Sequence, residues 1–128
     1  MMAPLHLAAE IGDVEVIRKI IEYGVDINAK DLHGCIPLHV ASDQSNYKDG
    51  SVHRLLLEHG ADVNARKDDG STSLHNASRA GVLEVVRLLL EQGADVEAEG
   101  NRGRTALRLA EEYEREEVKK LLLEHKAK

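Results

Sequence analysis

The chain is 128 residues long, about one domain, and its 17 basic against 23 acidic side chains leave a net charge of −6. With three tyrosines and neither phenylalanine nor tryptophan, it lacks both the clustered positive charge that grips a phosphate backbone and the aromatic platforms that stack single-stranded bases, so nucleic acid is excluded as a partner. One cysteine permits no intrachain disulfide and no cysteine-based zinc site, no apolar run approaches the ~20 residues of a bilayer span, and Met1 to His6 carries no secretory signal.

In chain order, Pro4-Leu5-His6-Leu7-Ala8-Ala9 opens a first short helix. Val14, Ile17 and Ile21 add apolar surface before Gly24-Val25-Asp26-Ile27. A turn signal at His33-Gly34 precedes Pro37-Leu38-His39-Val40-Ala41-Ser42, where proline suits the first helical turn because its missing N–H would be unpaired there. The stretch from Asp43 to Gly50 replaces the usual inter-helix link, so the companion helix starts late, near Ser51, and runs into Leu55-Leu56-Leu57-Glu58 and Gly60-Ala61-Asp62-Val63. After Asp69-Gly70, Thr72 is placed to cap the Ser73-Leu74-His75 helix with its hydroxyl. The next helix, Leu83 to Gln92, is apolar at Val85, Val86, Leu88, Leu89 and Leu90, wider than one stripe, and must be buried on more than one side. Gly93 ends it in the left-handed conformation. A polar link from Asp95 to Gly103 carries the turn signal Asn101-Arg102-Gly103; Thr105 then caps Ala106-Leu107-Arg108, and Leu121-Leu122-Leu123-Glu124 closes the chain's pattern.

These segments are copies of one unit. Leu5, Leu38, Leu74 and Leu107 are spaced 33, 36 and 33 residues apart, and Gly24, Gly60 and Gly93 are spaced 36 and 33. A period of 33 with Pro-Leu-His early and Gly-Ala-Asp-Val-Asn-Ala late resembles the ankyrin repeat. The resemblance covers the whole chain as four repeats, 1–30, 31–66 with a three-residue insertion, 67–99 and 100–128. It implies an all-α solenoid of stacked helix-turn-helix units with short β-hairpin loops. Helices this short do not hold alone; each repeat must bury its apolar surface on the next. The last repeat carries Arg108, Glu111, Glu112, Glu114, Arg115, Glu116 and Glu117, a polar cap toward solvent, whereas the first keeps the internal pattern. Leu7 then faces a neighbour that the chain does not supply, so the expectation is a monomer or a weak N-terminal end-to-end dimer, or a place in a longer array with more repeats upstream.

No residue pattern supports catalysis, a cofactor or a metal. His6, His39 and His75 share one register position, roughly 10 Å apart in a helix stack and too far to share an ion at ~2 Å. The resemblance assigns them hydrogen bonds across the hairpin base. Asn28 and Asn64 are expected to pin the loops, with Glu97 in their place in the third repeat. Asp68-Asp69 sits on a hairpin tip without a pocket to shift its pKa. Cys35, next to Gly34, is expected to be an accessible thiol whose pKa His33 lowers slightly.

The function implied is a non-catalytic scaffold that binds a protein partner inside the cell, in cytoplasm or nucleus. In the family the binding face comprises the hairpin tips and the exposed side of the first helices. Carried over, it comprises Glu10 and Ile11; Leu32, His33, Cys35, Asp43 and Gln44; Asp68, Asp69, Ser71, Arg79 and Ala80; and Asn101, Arg102, Arg104, Glu112 and Tyr113. The insertion adds Tyr47. Asp43, Asp68 and Asp69 make the centre acidic, and Arg102 and Arg104 make the fourth finger basic. The alternatives are a structural spacer from a longer array and a small inhibitor of an intracellular enzyme.

Overall fold

The computed structural model describes residues 4–43 and 49–126. Eight α-helices form four antiparallel pairs: α1 (Pro4–Ile11) with α2 (Val14–Glu22), α3 (Pro37–Ser42) with α4 (Ser51–Glu58), α5 (Ser73–Ala80) with α6 (Leu83–Glu91), and α7 (Ala106–Glu112) with α8 (Glu116–Lys126). The first helices pack in one row, α1 on α3 on α5 on α7, and the second helices in another, α2 on α4 on α6 on α8. This is the all-α solenoid expected. Its core runs the length of the stack through Ile17, Ile36, Leu38, Leu56, Leu74, Val85, Val86, Leu89 and Leu122, all almost fully buried. All five apolar residues named for α6 are buried, because α4 and α8 flank the helix and α5 lies against it.

The fingers between pairs are tight turns; no strand forms among the described residues. In each, one cross-finger bond and one turn bond suffice: Asp31 N–H to Cys35 O and Gly34 N–H to Asp31 O, then Lys67 N–H to Ser71 O and Gly70 N–H to Lys67 O, then Gly100 N–H to Arg104 O and Gly103 N–H to Gly100 O. Adjacent fingers meet where Asp68 N–H bonds His33 O at 2.9 Å. A Cβ at Gly34 would lie 2.5 Å from the Asp68 carboxylate and 2.9 Å from its backbone nitrogen, so only glycine allows this approach. Gly93 takes φ 90° after α6, as expected of the residue that ends it.

Helix α4 begins at Ser51, preceded by Gly50 at φ 74°, as the late start requires. Capping differs between the last two repeats. The Thr105 hydroxyl accepts the Arg108 N–H at 3.2 Å, as expected. The Thr72 hydroxyl instead lies 3.0 Å from His75 Nδ1, and that nitrogen accepts the Thr72 N–H at 3.0 Å. The histidine closes the first turn in the hydroxyl's place. In the last pair Glu114 occupies the inter-helix glycine position at φ 56°, a left-handed conformation that costs a side-chain residue about 1–2 kcal/mol.

The two ends differ. Around α7 and α8, residues 111–117 are exposed and charged apart from Tyr113. At the other end Leu7 is 50% exposed, Ile11 67% and Val16 44%, because among the described residues no helix packs on α1 or α2 from the side away from α3 and α4.

Candidate partner-binding surface

The frame that carries this surface is tied together by backbone-directed side chains one period apart. Nε2 of His6 donates to Cys35 O (2.8 Å), that of His39 to Ala65 O (2.9 Å), and that of His75 to Ala98 O (3.1 Å) and Arg104 O (2.9 Å). For His39 and His75, Nδ1 accepts a backbone N–H, which places the ring proton on Nε2. Burial pushes the pKa of both below the ordinary imidazole value, only partly offset by the carbonyls they face. They are neutral pins. Asn28 and Asn64 likewise reach the next repeat: each Nδ2 donates to a glycine carbonyl, Gly60 O or Gly93 O at 3.1 Å, and each Oδ1 accepts from Asp62 or Asp95 N–H at 2.8 Å. Glu97, in that register, pairs instead with Lys126 at 3.2 Å.

On this frame the residues singled out from the sequence fall into two groups, with Gln44 and Tyr47 outside the described residues. Toward the N-terminal end, Glu10, Ile11, Leu32 and His33 are exposed, Leu32 at 78%. Toward the C-terminal end, Asp69, Ser71, Arg79, Asn101, Arg104 and Tyr113 converge with His75, Asn76 and Leu109 around a cleft of about 120 Å³ between α5 and α7. Ser71 is 7% exposed and contributes to the cleft wall rather than to a finger tip. Ala80, at the end of α5, is half-buried and does not line the cleft; Asp68 and Arg102 stay exposed on the fingers.

The charge pattern is less segregated than the sequence alone suggests. Asp43 is paired with Arg79 at 2.6 Å, and Arg104 with Glu112 at 2.9 Å. These half-exposed pairs add little stability, ~0–1 kcal/mol each, but they neutralise four of the expected charges. The net acid that remains is at Asp68 and Asp69. The Asp69 carboxylate, despite a burial effect in the other direction, is held below the usual carboxylate range by hydrogen bonds from Ser71, including its N–H at 2.9 Å. Asp31 behaves alike: burial opposes ionisation, and the Cys35 and His33 amides outweigh it.

Cys35 departs from expectation. It is half-buried, and burial, followed by the nearby Asp31 carboxylate, pushes its pKa up rather than down. The largest charge effects on it come from Asp31, Lys67, Asp43 and Asp69 rather than from His33. Burial and Asp31 therefore disfavour the thiolate of Cys35.

Three polar residues escaped the sequence reading. Asn76 is 2% exposed and donates to His39 O at 3.2 Å, joining α3 to α5 and forming part of the cleft floor. The signal was an asparagine in the register of Leu7, Val40 and Leu109. Arg66 ties two fingers, its Nη1 donating to Gly70 O at 3.0 Å and Glu99 O at 2.9 Å. His53 is fully buried in α4 in the register of Ile17 and Val86, with neither ring nitrogen hydrogen-bonded among the described residues. Burial lowers its pKa to about 4, against weaker opposing contributions from the Asp49 charge and from the Ala41 carbonyl, which the ring approaches without completing a well-formed hydrogen bond. No group of three or more His, Cys, Asp or Glu among the described residues could hold a metal ion, and no described helix is long and apolar enough to cross a membrane.

Comparison with known proteins agrees with this architecture. The family model for ankyrin repeats in three copies matches residues 2–67 and 47–128. Among curated proteins, the chain is similar to an ankyrin repeat protein of Pyrobaculum aerophilum, 51% identical over 41 residues, which is 32% of this chain and 15% of that protein. It is similar to Rabankyrin-5 of Homo sapiens, 47% identical over 38 residues, 30% of this chain and 3% of that protein. It is also similar to the NF-kappa-B inhibitor cactus of Drosophila melanogaster, 42% identical over 43 residues, 33% of this chain and 9% of that protein. The matched stretch thus spans no more than 15% of the length of any of these relatives. Two matches that together run almost the full length of the sequence, on a four-pair helical stack, establish that the chain belongs to the ankyrin repeat family.

Proposed function

We propose that the chain is a non-catalytic scaffold of the cytoplasm or nucleus that binds a protein partner through its fingers and first helices, centred on the cleft between α5 and α7. Ankyrin repeats in general mediate protein–protein interaction, and the family is typically non-catalytic. The observation that carries the reading for this chain is the convergence of Asp69, Arg79, Asn101, Arg104 and Tyr113 on one cleft. A tyrosine and arginines that are already held by neighbours are the kind of group that anchors interfaces, since little side-chain entropy remains to be lost. Asp68 and Asp69 add acid at the rim, which favours a partner basic opposite the centre. One of the relatives named above, cactus, is by name an inhibitor of NF-kappa-B, and occupation of a protein target's surface is one form such binding takes.

The test is affinity capture from a lysate with three baits: the parent chain, D68K/D69K, and E58K/E91K on the second-helix side. A specific partner is retained by the parent and by E58K/E91K and is weakened at least about tenfold, ~1.4 kcal/mol, by D68K/D69K. Greater loss with E58K/E91K refutes the assignment of the face. A second reading, a segment that supports neighbouring repeats in a longer array, is favoured by the exposed Leu7, Ile11 and Val16 on the outer side of the first pair. It predicts that no protein is captured in a manner sensitive to either double variant.

A further inference from the structure

Within the stack, each finger rests in a slot formed by the finger and first helix before it. At the third repeat the slot is built from Asp69, Ser71 and His75, and the fourth finger fills it: His75 donates to Arg104 O, and Gly100 passes so close that a Cβ there would lie 2.8 Å from Ser71 Oγ. The same slot exists once more, one period on, at the C-terminal end. There Arg102, Arg104 and Arg108 stand in the register of Asp69, Ser71 and His75. With Gly103, Thr105 and Glu112 they line an open depression of about 410 Å³.

The chemistry of this last slot is different from that of the interior ones. The interior histidine offers one ring N–H to a finger's backbone carbonyl; the last slot offers three guanidiniums. Glu112 shows what they accept: its Oε1 takes Arg104 Nη1 at 2.9 Å and its Oε2 takes Arg108 Nε at 3.0 Å. Glu112 within the depression and Glu99, whose Oε1 would lie 3.4 Å from a Cβ at Gly103, stand against three arginines, which leaves one positive charge in excess. Arg108 is 65% exposed, with no acceptor for its other guanidinium N–H groups among the described residues, and Arg102 has no hydrogen bond or ion pair among them either. Arg102 also takes φ 60°, a left-handed conformation that His33 and Asp69, its counterparts on the other fingers, avoid. Guanidiniums suit carboxylates because their planar fork gives paired N–H···O bonds.

We propose that this terminal slot receives an acidic segment of a protein partner, its carboxylates pairing with Arg102 and Arg108 beside the Glu112 already held there. The inference rests on the reading of the chain as a protein-binding module and specifies the chemistry of one end of its surface. The occupant is a short acidic segment rather than a nucleic acid or an anionic membrane, because the patch is small and set in a chain of net charge −6 that repels an extended polyanion.

Fluorescence anisotropy with a labelled, end-blocked hexaglutamate peptide tests the proposal. Saturable binding is expected at about 50 mM salt, weakening as screening rises. R102E/R108E should weaken it at least about tenfold. R102K/R108K should retain part of it, since lysine keeps the charge without the fork. E58Q/E91Q, on the second-helix side and away from the proposed binding face, should leave it intact. The proposal is overturned by an absence of saturable binding, by equal binding to R102E/R108E, or by equal binding of a thymidine oligonucleotide of the same length, which would mark a generic anion patch. Failure here with continued D68K/D69K-sensitive capture of a partner removes only this inference; insensitivity of that capture removes the underlying reading as well.

Discussion

His53 places a titratable ring where Ile17 and Val86 sit in the neighbouring pairs, with no exposure and no hydrogen bond to either nitrogen among the described residues. Replacing it with valine removes the unsatisfied polar atoms, and at pH 8 a gain of about 1–3 kcal/mol is expected from that alone. The larger signature is in the pH dependence. The imidazole pKa is about 4 in the folded chain against 6.5 when exposed. The depressed folded value means that the unfolded chain takes up the proton first, so stability is complete above about pH 6.5 and falls as pH drops toward 4. A gap of about 2.5 units corresponds to about 3 kcal/mol in all, of which about 2 kcal/mol is lost by pH 5. His39 and His75, whose pKa values are lowered too, contribute in the same direction. Urea unfolding of the parent and of His53→Val at pH 8 and pH 5 separates them: the variant should lose about 2 kcal/mol less than the parent between the two pH values. Identical losses in both proteins would mean that His53 is solvated or hydrogen-bonded, and the burial argument would fail.

Leu89 is fully buried in α6 between α4 and α8, so Leu89→Ala should cost about 2–5 kcal/mol by leaving a cavity. The exposed Glu91→Ala should cost less than about 0.5 kcal/mol; similar urea midpoints for the two would contradict the stack. In sedimentation of the reduced protein, concentration-dependent dimerisation that disappears in Leu7→Glu is expected if the open N-terminal face pairs end to end. A strict monomer at all concentrations rules out that pairing. Cys35 should react with a disulfide reagent at pH 7 more slowly than a free cysteine, because burial and Asp31 disfavour its thiolate. A faster reaction would show that His33 controls the thiol after all.

Much of this protein is legible in one dimension. The recurrence of Leu5, Leu38, Leu74 and Leu107 sets the number of units, Gly93 and the late Ser51 start set helix ends, and His6, His39, Asn28 and Asn64 announce the bonds that join repeats. These features are readable because each unit meets a near-copy of itself, so one residue in register implies its partner one period on. Tertiary structure decided what the period leaves free. Asp43 and Arg79 stand 36 residues apart and carry no shared motif, yet stacking brings them to 2.6 Å and removes both from the expected charge pattern. Asn76 and His53 are polar side chains in registers where the neighbouring repeats carry aliphatic ones, and those registers bury them. Cys35 is governed by Asp31 and by burial rather than by the histidine two residues before it. The cleft between α5 and α7 and the arginine slot at the end of the stack arise where side chains from successive repeats meet. The register fixes how close the backbones come, but the pairing, burial and electrostatics at each junction depend on which side chains the particular neighbour brings.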